Sequence, residues 1–270
     1  MEISRWTWAR RLALLVLTAA ACLGTAAAQD KWGVLVLHGK NPGSANDPST
    51  DSLIAKLQAT GAVTLKPDMP WSRTRYLDKP LDGALAEMAA HVQTLRAQGA
   101  TRIALAGHSM GCPAAMAYAA QRGGVDALVL MAPGHVPQRY YNNKQNTVVH
   151  DSVDLARDMV ARGEGDKANT PFSDINQGRK LTVMATPALF LSYFDPQGDG
   201  EMSVTAPRIP VHTAVLWAIG KADPLFSAGR AYVFDKLPAH PKHQYLEVDA
   251  NHLTTPTVAA EAVVQWLGSL

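Results

Sequence analysis

Short apolar runs and longer stretches of helical periodicity alternate along most of this chain. Residues 33–37 (Gly-Val-Leu-Val-Leu), 102–106 (Arg-Ile-Ala-Leu-Ala) and 125–131 carry few polar side chains. Runs this short and this uniformly apolar predict strands buried on both faces, as in a parallel sheet. Shorter or more mixed runs at 62–65, 211–219 and 244–248 predict further strands. Between them lie helical patterns. One spans 52–60 and stops at Gly61. In a second, Leu81, Leu85, Met88, Ala89, Val92 and Leu95 recur at helical spacing until Gly99. An alanine-rich stretch at 113–122 ends at Gly123-Gly124, and a last pattern covers 257–267. Strands and helices in alternation predict an α/β fold: a mostly parallel central sheet, joined by right-handed crossovers, with helices on both faces.

Two loops rich in Asn, Pro, Gly or Ser are expected at 40–51 and 66–80. The rhythm itself fails between Pro133 and Pro207. About 70 residues are too many for a structureless loop in a compact domain. Residues 134–206 therefore read as an inserted cap, polar and irregular, with one helix over 152–161 and a more apolar part over 181–194.

The first 28 residues carry a different pattern. Arg5, Arg10 and Arg11 precede an apolar run over 12–21, and Ala26-Ala27-Ala28 follows it. A basic start, a short apolar core and small residues at a cleavage point are the marks of an export signal. The run is shorter than the roughly 20 residues that span a bilayer. The expectation is a single domain over 29–270, periplasmic or secreted, with no stable membrane span after cleavage. Arg10-Arg11 fits a twin-arginine signal poorly. Cys22 fits a lipidated terminus poorly, because Ala19 stands where a leucine is usual.

Removing that segment changes the charge. Of 25 basic and 23 acidic residues, three arginines and one glutamate fall in residues 1–28, leaving 22 of each. Such a balance offers no field to steer nucleic acid or an anionic membrane. Cleavage also leaves Cys112 as the only cysteine, so an internal disulfide is excluded.

Chemistry concentrates at Gly107-His108-Ser109-Met110-Gly111, a G-x-S-x-G pentapeptide between a strand pattern and a helix pattern. That is the setting of a nucleophile elbow, where a sharp turn pushes the serine hydroxyl out of the sheet top. Strand and helix pass so closely that the flanking positions must be glycine. A serine needs a base, and the base needs an orienting acid. His252 lies in a loop just past the last predicted strand, at the carboxyl edge of the sheet. Asp223 ends the strand before that and precedes Pro224. Asp249 is closer to the histidine in sequence, and Asp126 lies at the wrong end of its strand. Two backbone N–H groups are needed for an oxyanion. Met110, at the start of the elbow helix, supplies one, and Lys40, after His38-Gly39, is the choice for the other. The Lys40 side chain reads as a solvated surface charge. Cys112 reads as small-residue packing, and the His240–His243 cluster has no third ligand at metal spacing.

On these residues (His38-Gly39, the 107–111 elbow, Asp223-Pro224 and Asn251-His252) the chain from 32 to 270 resembles an α/β-hydrolase fold serine hydrolase. The resemblance implies Ser109 as nucleophile, His252 as base and Asp223 as acid, with no cofactor and no metal. It implies a small-molecule ester or acyl substrate and an acyl-enzyme intermediate. It leaves peptidase, thioesterase and acyltransferase chemistry open, with a silent binding protein as the rival from another class. Further pocket candidates are His38, Gly39, His108, Tyr140, Tyr141, Tyr193 and Phe194.

Overall fold

The computed structural model describes residues 30–270; the expected export signal, with Cys22, lies outside the described residues. Strands β1 (Trp32–Leu37), β2 (Val63–Leu65), β3 (Arg102–Ser109), β4 (Ala127–Pro133), β7 (Ala214–Gly220) and β8 (Gln244–Val248) form one parallel sheet in the order β2-β1-β3-β4-β7-β8. Side chains alternate across it, and both faces are buried. Leu35 and Leu37 belong to one core, Val34 and Val36 to the other. The first core is packed by α2 (Leu81–Ala97) and α3 (Gly111–Arg122). The second is packed by α1 (Asp51–Ala59) and α8 (Thr255–Gly268), through Leu53, Leu57, Val263 and Trp266. The α/β architecture with helices on both faces is therefore the one the hydrophobic pattern predicts.

The strand order reverses between β1 and β3. From β1 the chain crosses outward to β2, and from β3 it crosses the other way to β4. Loops leaving the carboxyl ends of these two neighbours diverge, which opens a crevice above the sheet. Gly39 and Lys40 stand in the loop after β1, and Ser109 ends β3.

Between β4 and β7 the chain leaves the sheet. This segment holds α4 (Pro137–Tyr141), α5 (Val148–Ala161), an antiparallel hairpin of β5 (Thr170–Asn176) and β6 (Arg179–Ala185), α6 (Pro187–Phe194) and α7 (Met202–Thr205). It is more ordered than its polar sequence suggests. The hairpin was not expected because its inward positions are Phe172 and Asp174, so a charge interrupts the apolar alternation. Its two-residue turn uses Gln177 (φ +48°) and Gly178 (φ +76°). The apolar 181–194 stretch divides at Thr186, whose hydroxyl accepts from Leu189 N–H at 3.2 Å, and at Pro187, which starts α6. Strand β7 starts at Ala214 rather than 211, because a turn closed by Thr213 N–H on the Pro210 carbonyl leaves Val211 exposed. Among the described residues no helix is long and apolar enough to cross a membrane.

The elbow glycines are required by contact. A Cβ on Gly111 would lie 2.3 Å from the Leu37 carbonyl oxygen, and one on Gly107 would lie 2.5 Å from the Gly111 backbone. Gly111→Ala is expected to cost about 3 kcal/mol by overpacking. Gly268→Ala, with open space around it at the end of α8, should be neutral or stabilising by up to about 1 kcal/mol. Urea denaturation of the two variants beside the parent checks the contrast.

Candidate active site

Ser109 sits at φ +53°, a conformation in which a serine is rare. The turn into α3 imposes it: strand register shifts between His108 and Ser109, and Gly134 N–H donates to the Ser109 carbonyl at 3.2 Å. The hydroxyl then points to the crevice. Gly134 forms the opposite wall, where a Cβ would stand 2.7 Å from Ser109 Oγ and 3.2 Å from His252 Cε1. Nothing larger fits there.

His252 Nε2 lies 2.9 Å from Ser109 Oγ, and His252 Nδ1 lies 2.7 Å from Asp223 Oδ2. A carboxylate only accepts, so Nδ1 carries the ring proton and Nε2 is left to accept from the serine hydroxyl. Asp223 is held in turn. Its Oδ1 accepts from Leu225 N–H at 2.7 Å, in a turn that Pro224 shapes, and its side chain is almost fully buried. Asp249 is turned out to solvent, 87% exposed, and pairs with Lys221 at 2.8 Å. Asp126 stays at the amino end of the sheet, accepting from Ile103 N–H.

The loop carrying His252 is fixed by His108, whose Nε2–H donates to the His252 carbonyl at 2.9 Å. Burial pushes the His108 pKa down to about 4, so the ring is neutral at neutral pH. His108 thus acts on the backbone of the histidine loop and does not line the cavity. Across the crevice, Met110 and Lys40 N–H make no hydrogen bond among the described residues. Gly39 faces Ser109, since a Cβ on it would lie 3.3 Å from Ser109 Cβ. His38 shapes this loop from behind: its Nδ1–H donates to the Gly39 carbonyl at 2.7 Å, and its Nε2 accepts from Met69 N–H at 3.0 Å.

The Lys40 side chain is a correction to the sequence reading. It is buried, and Nζ lies 2.6 and 2.7 Å from the two oxygens of Asp174 on β5. Burial pushes its pKa down, against the pull of Asp174. The partner is 134 residues away, which is why no local pattern announced it.

A cavity of about 630 Å³ opens on Ser109 and His252. Val136, Tyr140, Ile175 and Leu225 give it apolar walls, with Arg139 and Asn176 among its polar groups. Of the sequence candidates, Tyr140 lines it. Tyr141, Tyr193, Phe194, His38 and His108 do not. Tyr141 bonds Asp154 and stacks on His150, Tyr193 donates to the Lys79 carbonyl, and Phe194 stacks on Phe190 inside the core. Gly134, Arg139, Asn176 and Leu225 were missed. Each reaches the crevice only through the folding of segments remote in sequence from the elbow. Cys112 is fully buried and its Sγ–H donates to the Gly107 carbonyl, a packing role. Among the described residues no three His, Cys, Asp or Glu side chains converge as a metal set would.

Residues 34–266 match the Alpha/beta hydrolase family, and the chain belongs to it. No curated protein matches the sequence. Among solved structures, the chain is similar to Est1E of Butyrivibrio proteoclasticus with ferulic acid bound (18% identity, TM-score 0.58, covering 89% of this chain and 90% of that one). It is also similar to a highly thermostable carboxyl esterase of Bacillus coagulans (13%, TM-score 0.61, 90% and 91%). A dienelactone hydrolase of Anabaena variabilis shares the fold more loosely (17%, TM-score 0.51, 89% and 88%). At these identities the fold is what is shared.

His135 is a second buried imidazole held near pKa 4 by burial. An unfolded histidine takes its proton near pH 6.5. Between that value and about 4, the unfolded chain binds protons that the folded one refuses. Stability should be flat above pH 6.5 and fall as pH drops toward 4, by up to about 1.4 kcal/mol per unit for each ring. Urea midpoints from pH 4.5 to 8 measure the slope, and His108→Gln should make it shallower by the share of one ring.

Proposed function

We propose that the protein is an exported serine hydrolase that cleaves carboxylic esters through an acyl-enzyme. The hydrogen-bonded chain Asp223–His252–Ser109 at the mouth of the cavity is the observation that carries this reading. Ser109 Oγ attacks the ester carbonyl while its proton passes to His252 Nε2. Asp223 keeps the other ring nitrogen protonated and stabilises the imidazolium. The carbonyl electrons move onto oxygen, which the free Met110 and Lys40 N–H groups receive, the first of them at the positive end of α3. Collapse breaks the C–O bond, and His252 hands its proton to the departing alcohol. Water then enters by the same base and releases the acid.

The cavity supports a small-molecule substrate, since sites for such ligands span about 300–1,000 Å³ and are mostly apolar. Residues 134–206, which bring Val136, Tyr140 and Ile175 to its wall, act in this reading as the specificity cap. The basic start, apolar run and alanine triplet of residues 1–28 support export.

Hydrolysis of p-nitrophenyl esters from acetate to palmitate is the test. Ser109→Ala should abolish turnover without lowering Tm, and surviving activity would overturn the assignment. Asp223→Asn should lower kcat by about 10⁴ by stabilising the wrong histidine tautomer. Asp249→Asn should leave it unchanged. For export, mass spectrometry of the protein recovered outside the cytoplasm should find an N-terminus at Gln29.

A further inference from the structure

We propose that Asp174 is a positioning residue for the oxyanion hole, acting through Lys40 to hold the loop after β1 at the distance the reaction needs. This rests on the serine-hydrolase reading above. The loop of residues 38–41 is gripped from two sides. On one, Trp71 Nε1–H donates to the His38 carbonyl at 2.8 Å and Asn41 N–H donates to the Trp71 carbonyl at 2.9 Å. On the other stands the β5–β6 hairpin. Asp174 there is fully buried and takes both short contacts from Lys40 Nζ, which also donates to the Ile175 carbonyl at 3.2 Å. Tyr76 O–H donates to the same carboxylate. Two residues on, Asn176 Nδ2–H donates to the Asn41 carbonyl at 2.6 Å. The hairpin therefore holds two consecutive loop residues, one by its side chain and one by its backbone.

Filling this space with apolar side chains would spare the desolvation of two charges, so stability alone does not call for an ion pair here. What an ion pair provides is register. It fixes where the Lys40 backbone lies relative to the hairpin, and the Lys40 N–H is a donor that must stand about 3 Å from the developing oxyanion. Ile175 and Asn176 also line the cavity. The same hairpin thus forms a wall of the pocket and sets one arm of the hole, which makes it part of the reacting geometry and not a lid that swings clear.

The test is the rate at which a fluorophosphonate probe labels Ser109 in the purified protein, because phosphonylation loads the same hole whatever the natural ester is. Asp174→Asn and Lys40→Met should each slow labelling about 10- to 100-fold, less than the loss of a whole donor. For a hydrolysed p-nitrophenyl ester, kcat should fall while KM stays within about twofold. The apolar pair Lys40→Met/Asp174→Leu should bring Tm back toward the parent while labelling stays slow, since the tether is gone. Labelling at the parent rate in either single variant would overturn the proposal. So would recovery of labelling together with Tm in the pair, which would make the contact a support of the fold only. A parent protein that the probe does not label would instead overturn the serine-hydrolase reading, and the proposal with it.

Discussion

The approach of α3 to the end of β1 is the constraint on which the rest of the site depends. The Leu37 carbonyl lies where a side chain on Gly111 would be, and Gly111 lies where a side chain on Gly107 would be. Because the three backbones are in contact, the chain has to reverse within two residues, and it does so at Ser109 with a left-handed φ. That strain exposes the hydroxyl and sets Ser109 beside Gly39 in the loop after β1. Core packing supplies the energy that keeps it there: β1 and β3 are buried on both faces.

Four histidines around the crevice illustrate how environment assigns a role to a residue type. His38, His108 and His135 each give a ring proton to a backbone carbonyl. Burial holds all three pKa values down, so they serve as neutral spacers that fix loops. Of the four, His252 alone gives its proton to a carboxylate, and its second nitrogen lies on the Ser109 hydroxyl. A carbonyl partner fixes a tautomer, whereas a carboxylate partner also stabilises the charged ring, as the base in the proposed mechanism requires.

The segment between β4 and β7 joins the core by apolar packing and, at two buried points, by polar contacts. Asp174 meets Lys40 and Tyr76, and Glu201 accepts from Gln138 N–H, Ser203 N–H and Tyr232 O–H without any solvent exposure. Such contacts are directional, so they define where the segment sits more sharply than apolar packing would, at the cost of desolvating the charges. The cavity wall follows from that placement.

The sheet and most helices were legible in the amino-acid sequence, because a strand buried on both faces needs an unbroken apolar run and a covering helix needs a stripe. The elbow, Asp223 and His252 were legible for a related reason. Each follows a strand of one parallel sheet, and such strands all deliver their carboxyl ends to the same edge. The β5–β6 hairpin was hidden because its inward face carries an aspartate whose justification is a lysine 134 residues away. For the same reason Lys40 read as a surface charge, and aromatics such as Tyr193 and Phe194 could not be told apart from Tyr140 as pocket residues. Local pattern determines what can be buried; only the tertiary structure decides which remote group it is buried against, and that choice turned Lys40 inward and placed Gly134 opposite the serine.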